Sequence, residues 1–185
     1  MRSHSFAVVF ALLALAETCV AQPGPLSASE IMGEAMQTAV KQNKNILIIF
    51  HASWCGWCRK MDTAINDKTC KDFFYNNYVI RQIVVDESRD RKYLENPGAD
   101  ELRRQYHGDD EGIPFWLIFD KDGKLLADSQ MRPTGAGLDT KGENAGCPAT
   151  EKEVAYFIEV LKKTSKITEA EQAAVQKRFR QNETN

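Results

Sequence analysis

The sequence has no apolar run long enough to cross a bilayer, no marked excess of charge of one sign, and only one pair of cysteines close together. Each shortage excludes something. The longest apolar run, FAVVFALLALA from Phe6 to Ala16, falls short of the about twenty residues that a membrane-spanning helix needs. A formal net charge of -2, from 24 Lys and Arg against 26 Asp and Glu, supplies no field to gather nucleic acid or an anionic membrane. A structural zinc site usually takes four ligands in two close pairs. Beyond Cys55 and Cys58 the candidates His51, Cys70, His107 and Cys147 are scattered, so no metal is expected. A c-type haem anchor needs histidine directly after the second cysteine, where Arg59 stands. There is no internal repeat and no low-complexity tract. Function must reside in a local site, and 185 residues suffice to bury one sizeable core around it.

What is present begins with a targeting pattern. Arg2 precedes the apolar run and the small residues of ETCVAQPGP follow it, which is the layout of a secretory signal peptide. No polar stripe interrupts the run, as it would in a buried amphipathic helix. Residues 1–21 are read as the signal peptide, cleaved after Ala16 or Ala21, and residues 22–27 as a linker. Glu17 and Thr18 fit poorly with the small apolar residues that a lipid-modified Cys19 would need before it. The mature chain is expected to be soluble, not membrane-inserted, and exported, either periplasmic or secreted. Four cysteines then remain, Cys55, Cys58, Cys70 and Cys147, in a compartment where cysteines tend to pair. Cys70 and Cys147 stay open between a structural disulfide and two free thiols. Joined, they would close a long loop, a constraint of about 4 kcal/mol on chain-entropy grounds.

Periodicity sketches the elements. Ser27 and Glu30 form a capping-box pattern, and Ile31, Ala35, Met36 and Val40 a helical stripe, which predicts a first helix. NILIIF is a continuous apolar run, as expected of a central strand covered on both faces. IFHASWCGWCRKM follows, and RKMDTAIND has a helical pattern, so the close cysteine pair falls where a buried strand hands over to a helix. KDFFYNNY predicts a short helix, VIRQIVVD a strand and ELRRQYH a brief helix. PFWLIF and KLLADSQ predict two strands joined by DKDG, whose Asp122-Gly123 suits a tight turn. After a Gly-rich loop, Thr150 and Glu153 begin an amphipathic helix. Thr168 and Glu171 begin another, in a C-terminal helical extension over 166–185 with a frayed tail, where QKRFRQ is expected to be a solvated face. The order places two parallel strands ahead of an antiparallel hairpin. The fold class is α/β, a three-layer sandwich with a central mixed sheet of about four strands and helices on both faces.

Two cysteines separated by two residues at a helix start bring both sulfurs to one turn. Cys55 is expected at the open edge, where unpaired N–H groups and the helix dipole favour a thiolate, with Arg59 and Lys60 adding positive charge. Cys58 is expected further inside, as the thiol that resolves a mixed disulfide made by Cys55. Lowering a thiol pKa from about 8.5 to about 7 raises its thiolate fraction roughly 15-fold at pH 7, and reduced nucleophilicity takes back about 5- to 6-fold. The larger effect is on redox poise, and the direction of exchange stays open. The bland alternative is a structural clip, but so short a loop restrains little of the unfolded chain.

WCGWC at the strand–helix junction, Ile113-Pro114 before PFWLIF, and the PFWLIFDKDGKLL hairpin together resemble the thioredoxin superfamily, over roughly residues 28–164. Within it, HASWCGWCRKM is most similar to exported bacterial thioredoxin-like proteins. The resemblance implies a thioredoxin-like domain over 28–165, and a cis Pro114 lying against the disulfide, with Ile113 offering backbone groups to an extended substrate. It implies substrate contact by Trp54, Gly56 and Trp57 around catalytic Cys55 and Cys58; packing against the helix is the alternative for the tryptophans. The implied activity is thiol–disulfide exchange with protein cysteines, without cofactor, regenerated by a redox partner. The other class left open is a non-catalytic binding or chaperone module. One departure stands out. The family often has a buried acid six residues before the first cysteine, and Ile49 occupies that position. His51 is read as a packed histidine rather than a proton carrier, which leaves water or a loop acid among Asp109 to Glu111 to take the proton of Cys58.

Overall fold

The computed structural model describes residues 24–183. The expected signal peptide and Cys19 lie outside the described residues, as does the start of the linker. The chain runs through α1 (Ala28–Gln42), β1 (Asn45–His51), α2 (Gly56–Ile65), α3 (Lys71–Asn77), β2 (Tyr78–Val84) and a 3₁₀ helix (Arg89–Leu94). It continues through α4 (Ala99–Gln105), β3 (Phe115–Phe119), β4 (Leu125–Asp128), β5 (Gln130–Met131), β6 (Glu143–Asn144), α5 (Glu151–Thr164) and α6 (Glu169–Arg180).

The main sheet has the order β2-β1-β3-β4. β1 pairs parallel with β2 and antiparallel with β3, and β3 pairs antiparallel with β4. β1 is central, and its apolar run alternates between two cores. Ile46, Ile48 and Phe50 face α1 and α4, whereas Leu47 and Ile49 face α2, α3, α5 and α6. This double burial is why NILIIF is continuously apolar rather than alternating. The result is the three-layer α/β sandwich of a thioredoxin-like fold.

Local signals set the element ends. Ser27, Thr150 and Thr168 each accept a hydrogen bond from the backbone N–H of the glutamate three residues on, and each glutamate reaches back. In the turn after β3, Asp120 Oδ1 accepts from the N–H groups of Asp122 and Lys124, and Gly123 takes the φ of +86° that a side chain would resist. KLLADSQ does not form one strand. β4 stops at Asp128 because Ser129 turns its N–H to the Trp116 carbonyl and accepts the Trp116 N–H on its hydroxyl. The chain then pairs β5 with β6 in a separate small hairpin.

The segment QKRFRQ is not a purely solvated face. Lys177 is exposed, but Phe179 is fully buried, 5.0 Å from the Phe157 ring and 6.0 Å from that of Phe74. Val175 is buried one turn earlier, so α6 closes the same core as α5. Phe179→Ala should therefore lower the unfolding free energy by about 3–5 kcal/mol, read as a shift in the urea midpoint. A change below about 1 kcal/mol would show that α6 contributes no packing.

Candidate redox site

β1 ends at His51, and four residues later Cys55 is the N-cap of α2. Its φ and ψ of -72° and 108° are extended, and its Sγ accepts the Cys58 N–H at 3.0 Å. The two cysteines form a disulfide, S–S 2.06 Å. The turn before them is clamped through Ser53. The buried Glu87 carboxylate accepts the Ser53 N–H at 2.5 Å and the Ser53 hydroxyl at 2.8 Å. Arg59 donates to the Ser53 carbonyl at 3.1 Å and Arg91 to its hydroxyl at 3.2 Å. Glu87 lies 34 residues from Ser53, in a charged stretch with no periodic signal to mark it.

The exposure of the two sulfur residues is the reverse of expectation. Cys55 is 2% exposed and Cys58 8%. The cause is Ile113, which packs on Ala52, Cys55 and Cys58 and sets its carbonyl oxygen 3.6 Å from Cys55 Sγ. The Ile113-Pro114 peptide is cis. Ile113 thus forms part of the cover over Cys55.

The flanking residues divide between two sides. Trp57, 47% exposed, lines a groove of about 450 Å³ with Ile113, Pro114, Asn144, Cys147 and Glu153. Lys60 Nζ sits 4.3 Å from the centre of the Trp57 ring. Trp54 is 56% exposed, with its indole N–H bonded to the Asp86 carbonyl at 2.7 Å. Gly56 is exposed at the first position of α2, beside Trp57 on the side facing Lys60 and Arg178.

Cys70 and Cys147 are both free thiols in the structure, so the bridge that was one of their two options is not formed. They share one core cluster, but Cys70 faces the Thr69 hydroxyl at 3.5 Å and Cys147 accepts from Asn182 Nδ2 at 3.3 Å. Burial raises the pKa of the Cys70 thiol and pushes that of Cys147 up to about 12. Neither has the thiolate character that exchange requires.

On the Cys58 side, a cavity of about 400 Å³ is lined by Ile49, His51, Cys58, Arg59, Asp62 and Gln82. The pleat of β1 holds, so His51 shares the face of Ile49. Gln82 and Asn66 both donate to Asp62 Oδ1, at 3.2 Å. The loop acids are engaged elsewhere, Asp109 with Arg104, and Asp110 and Glu111 with Lys141. His51 has its pKa lowered, chiefly by burial, with Glu87 and Asp62 pulling the other way. A histidine harder to protonate in the fold than in the unfolded chain contributes stability above its ordinary value of 6.5. That contribution is lost as pH falls from 6.5 through the lower folded value. His51→Gln should therefore be more stable relative to wild type at pH 5 than at pH 8, measured as the difference in melting temperature. An unchanged difference would mean that His51 does not feel its burial.

Three comparisons bear on this geometry. Residues 30–121 match a family model described as thioredoxin-like. Among solved structures, the disulphide isomerase from Xylella fastidiosa Temecula1 is 21% identical, with 64% of this chain and 80% of that one covered at a TM-score of 0.45. A DsbH oxidoreductase is 21% identical over 84% of this chain and 95% of its own, TM-score 0.42. The oxidised C-terminal domain of DsbD from Neisseria meningitidis is 17% identical over 76% and 98%, TM-score 0.42. No curated protein matches the chain. The family match falls on the strand–disulfide–helix unit and the hairpin strand that packs beside it, so the chain carries a thioredoxin-like domain over residues 30–121.

Proposed function

We propose that this chain is an exported thiol–disulfide oxidoreductase that exchanges disulfides with protein cysteines. The observation that carries the reading is the Cys55–Cys58 disulfide at the N-terminus of α2, with the Cys58 N–H directed at Cys55 Sγ. A negative charge on that sulfur is stabilised by the same N–H and by the first turn of the helix.

In the reducing direction, the Cys55 thiolate attacks one sulfur of a substrate disulfide. A Cys55–substrate bond forms, the substrate S–S bond breaks, and the first substrate thiolate leaves. Cys58 loses its proton into the cavity on its side, and its thiolate attacks Cys55 Sγ. The Cys55–Cys58 bond forms and the second substrate thiolate departs. The substrate gains two electrons and the pair loses two; an oxidising enzyme runs the same steps in reverse. A redox partner then restores the pair by a further exchange. Trp54, Gly56, Trp57, Ile113 and Pro114 are assigned to substrate contact. The groove shared by Trp57, Ile113 and Pro114 supports this.

Export rests on the sequence of residues 1–21, read as a signal peptide, with 22–27 as linker, 28–165 as the thioredoxin-like domain and 166–185 as a C-terminal extension. Among the described residues, no helix is long and apolar enough to cross a membrane.

Cys55→Ala should abolish reduction of a protein disulfide, and Cys58→Ala should accumulate mixed disulfides visible on a non-reducing gel. Full activity in both variants would overturn the assignment. One pair of observations favours the second reading, a binding or chaperone module: Cys55 is covered, and two tryptophans beside it are exposed. That reading expects capture of unfolded protein to survive replacement of both cysteines by serine. The oxidoreductase reading expects covalent capture to vanish.

A further inference from the structure

Resting on the oxidoreductase reading, we infer that Asn144 is a positioning residue that fixes Ile113 over Cys55 and so sets which reactants reach the disulfide. The chain between β4 and α5 is an arm folded back on the site. Its root is rigid. Asp128 and Arg132 form a buried ion pair at 2.7 Å, and the Tyr156 hydroxyl lies 2.9 Å from the carbonyls of both Asp128 and Gln130. From this root the arm makes three ties to the segment leading into β3. Gln130 Nε2 donates to the Tyr106 carbonyl at 3.0 Å. Lys141 pairs with Asp110 and Glu111 at 3.6 and 3.4 Å. Asn144 Nδ2 donates to the Gly112 carbonyl at 2.6 Å and the Pro114 carbonyl at 3.3 Å.

The third tie is the one that matters for the sulfur. The two carbonyls held by Asn144 flank Ile113, the residue that covers Cys55. The amide cannot turn over, because its Oδ1 accepts the Gly146 N–H at 3.0 Å. One side chain thus spans the arm and both neighbours of Ile113, with every polar atom engaged. The Lys141 pairs are more exposed and contribute little to holding the segment.

Releasing this tie has opposite effects on two kinds of reactant. A small thiol needs only a gap beside Ile113 and gains access. An extended protein segment needs the edge around Ile113 already in place, and now has to order it on binding. Asn144→Asp separates the tie from the shape of the side chain, since it keeps the oxygen that accepts from Gly146 but turns a second oxygen towards the two carbonyls. Asn144→Ser is the second variant should the aspartate fold poorly. With a denatured single-disulfide protein as substrate, KM should rise at least about fivefold, the floor set by losing one of the two hydrogen bonds to the Gly112 and Pro114 carbonyls, with kcat within about twofold. Reduction of the Cys55–Cys58 disulfide by dithiothreitol should quicken by about threefold or more, on the scale of a lost hydrogen bond or two. Both rates unchanged overturns the inference, as does faster dithiothreitol reduction matched by faster alkylation of the buried Cys70 thiol, which general loosening of the fold would produce. If the wild-type protein turns over no protein disulfide, the oxidoreductase reading falls, while the dithiothreitol comparison still decides what Asn144 holds.

Discussion

A helix that begins inside a fold leaves backbone N–H groups without partners, and the way α2 meets that demand governs the rest of the site. The acceptor here is sulfur: Cys55 Sγ takes the N–H of Cys58 where Ser, Thr, Asp or Asn usually serve. That single contact makes the second cysteine of the pair the donor to the first. It holds only if α2 starts at one position, and two constraints ensure this. β1 is buried on both faces, so sliding it by one residue would swap its two apolar sets between cores. Glu87 then grips both polar groups of Ser53, fixing the turn between strand and helix.

The parts of this arrangement legible in the sequence are those that depend on near neighbours. NILIIF announces a doubly covered strand, the Ser27, Thr150 and Thr168 patterns announce helix starts, and Asp122-Gly123 announces a turn, because each signal lies within a few residues of its effect. Glu87 and Asn144 were not legible. Each is a single polar side chain, Glu87 in a loop and Asn144 in the two-residue β6, acting across 34 and 32 residues respectively, and no periodicity marks either one. The burial of Cys55 escaped for the same reason, since its cover comes from Ile113, 58 residues away. Phe179 carried a readable cue, an apolar residue four after Val175, but the basic residues around it suggested water on all sides.

The two remaining thiols sharpen the site by contrast. Cys70 and Cys147 share a core cluster without bonding, and burial raises the pKa of both. A thiol that stays protonated is a poor nucleophile, so these two of the described cysteines are poorly suited to exchange at neutral pH. Such burial also protects free thiols from exchange without the need for a bridge.

That pair sits between unlike surroundings, and the asymmetry suits disulfide exchange. Cys58 borders a polar cavity with His51, Asp62 and Gln82, where a leaving thiolate can be hydrated and pick up a proton. Cys55 lies beneath Ile113, with the Trp57 groove on the far side of the same residue. A charge on Cys55 is met by the Cys58 N–H and the start of α2, and a charge on Cys58 by the polar cavity on its side. Each sulfur therefore has its own means of bearing charge, which exchange in either direction requires. A reactant in the Trp57 groove would lie against Ile113, which lines it. In that geometry the cover over the sulfur acts as a filter on the reactant, and a closed Cys55 is compatible with exchange.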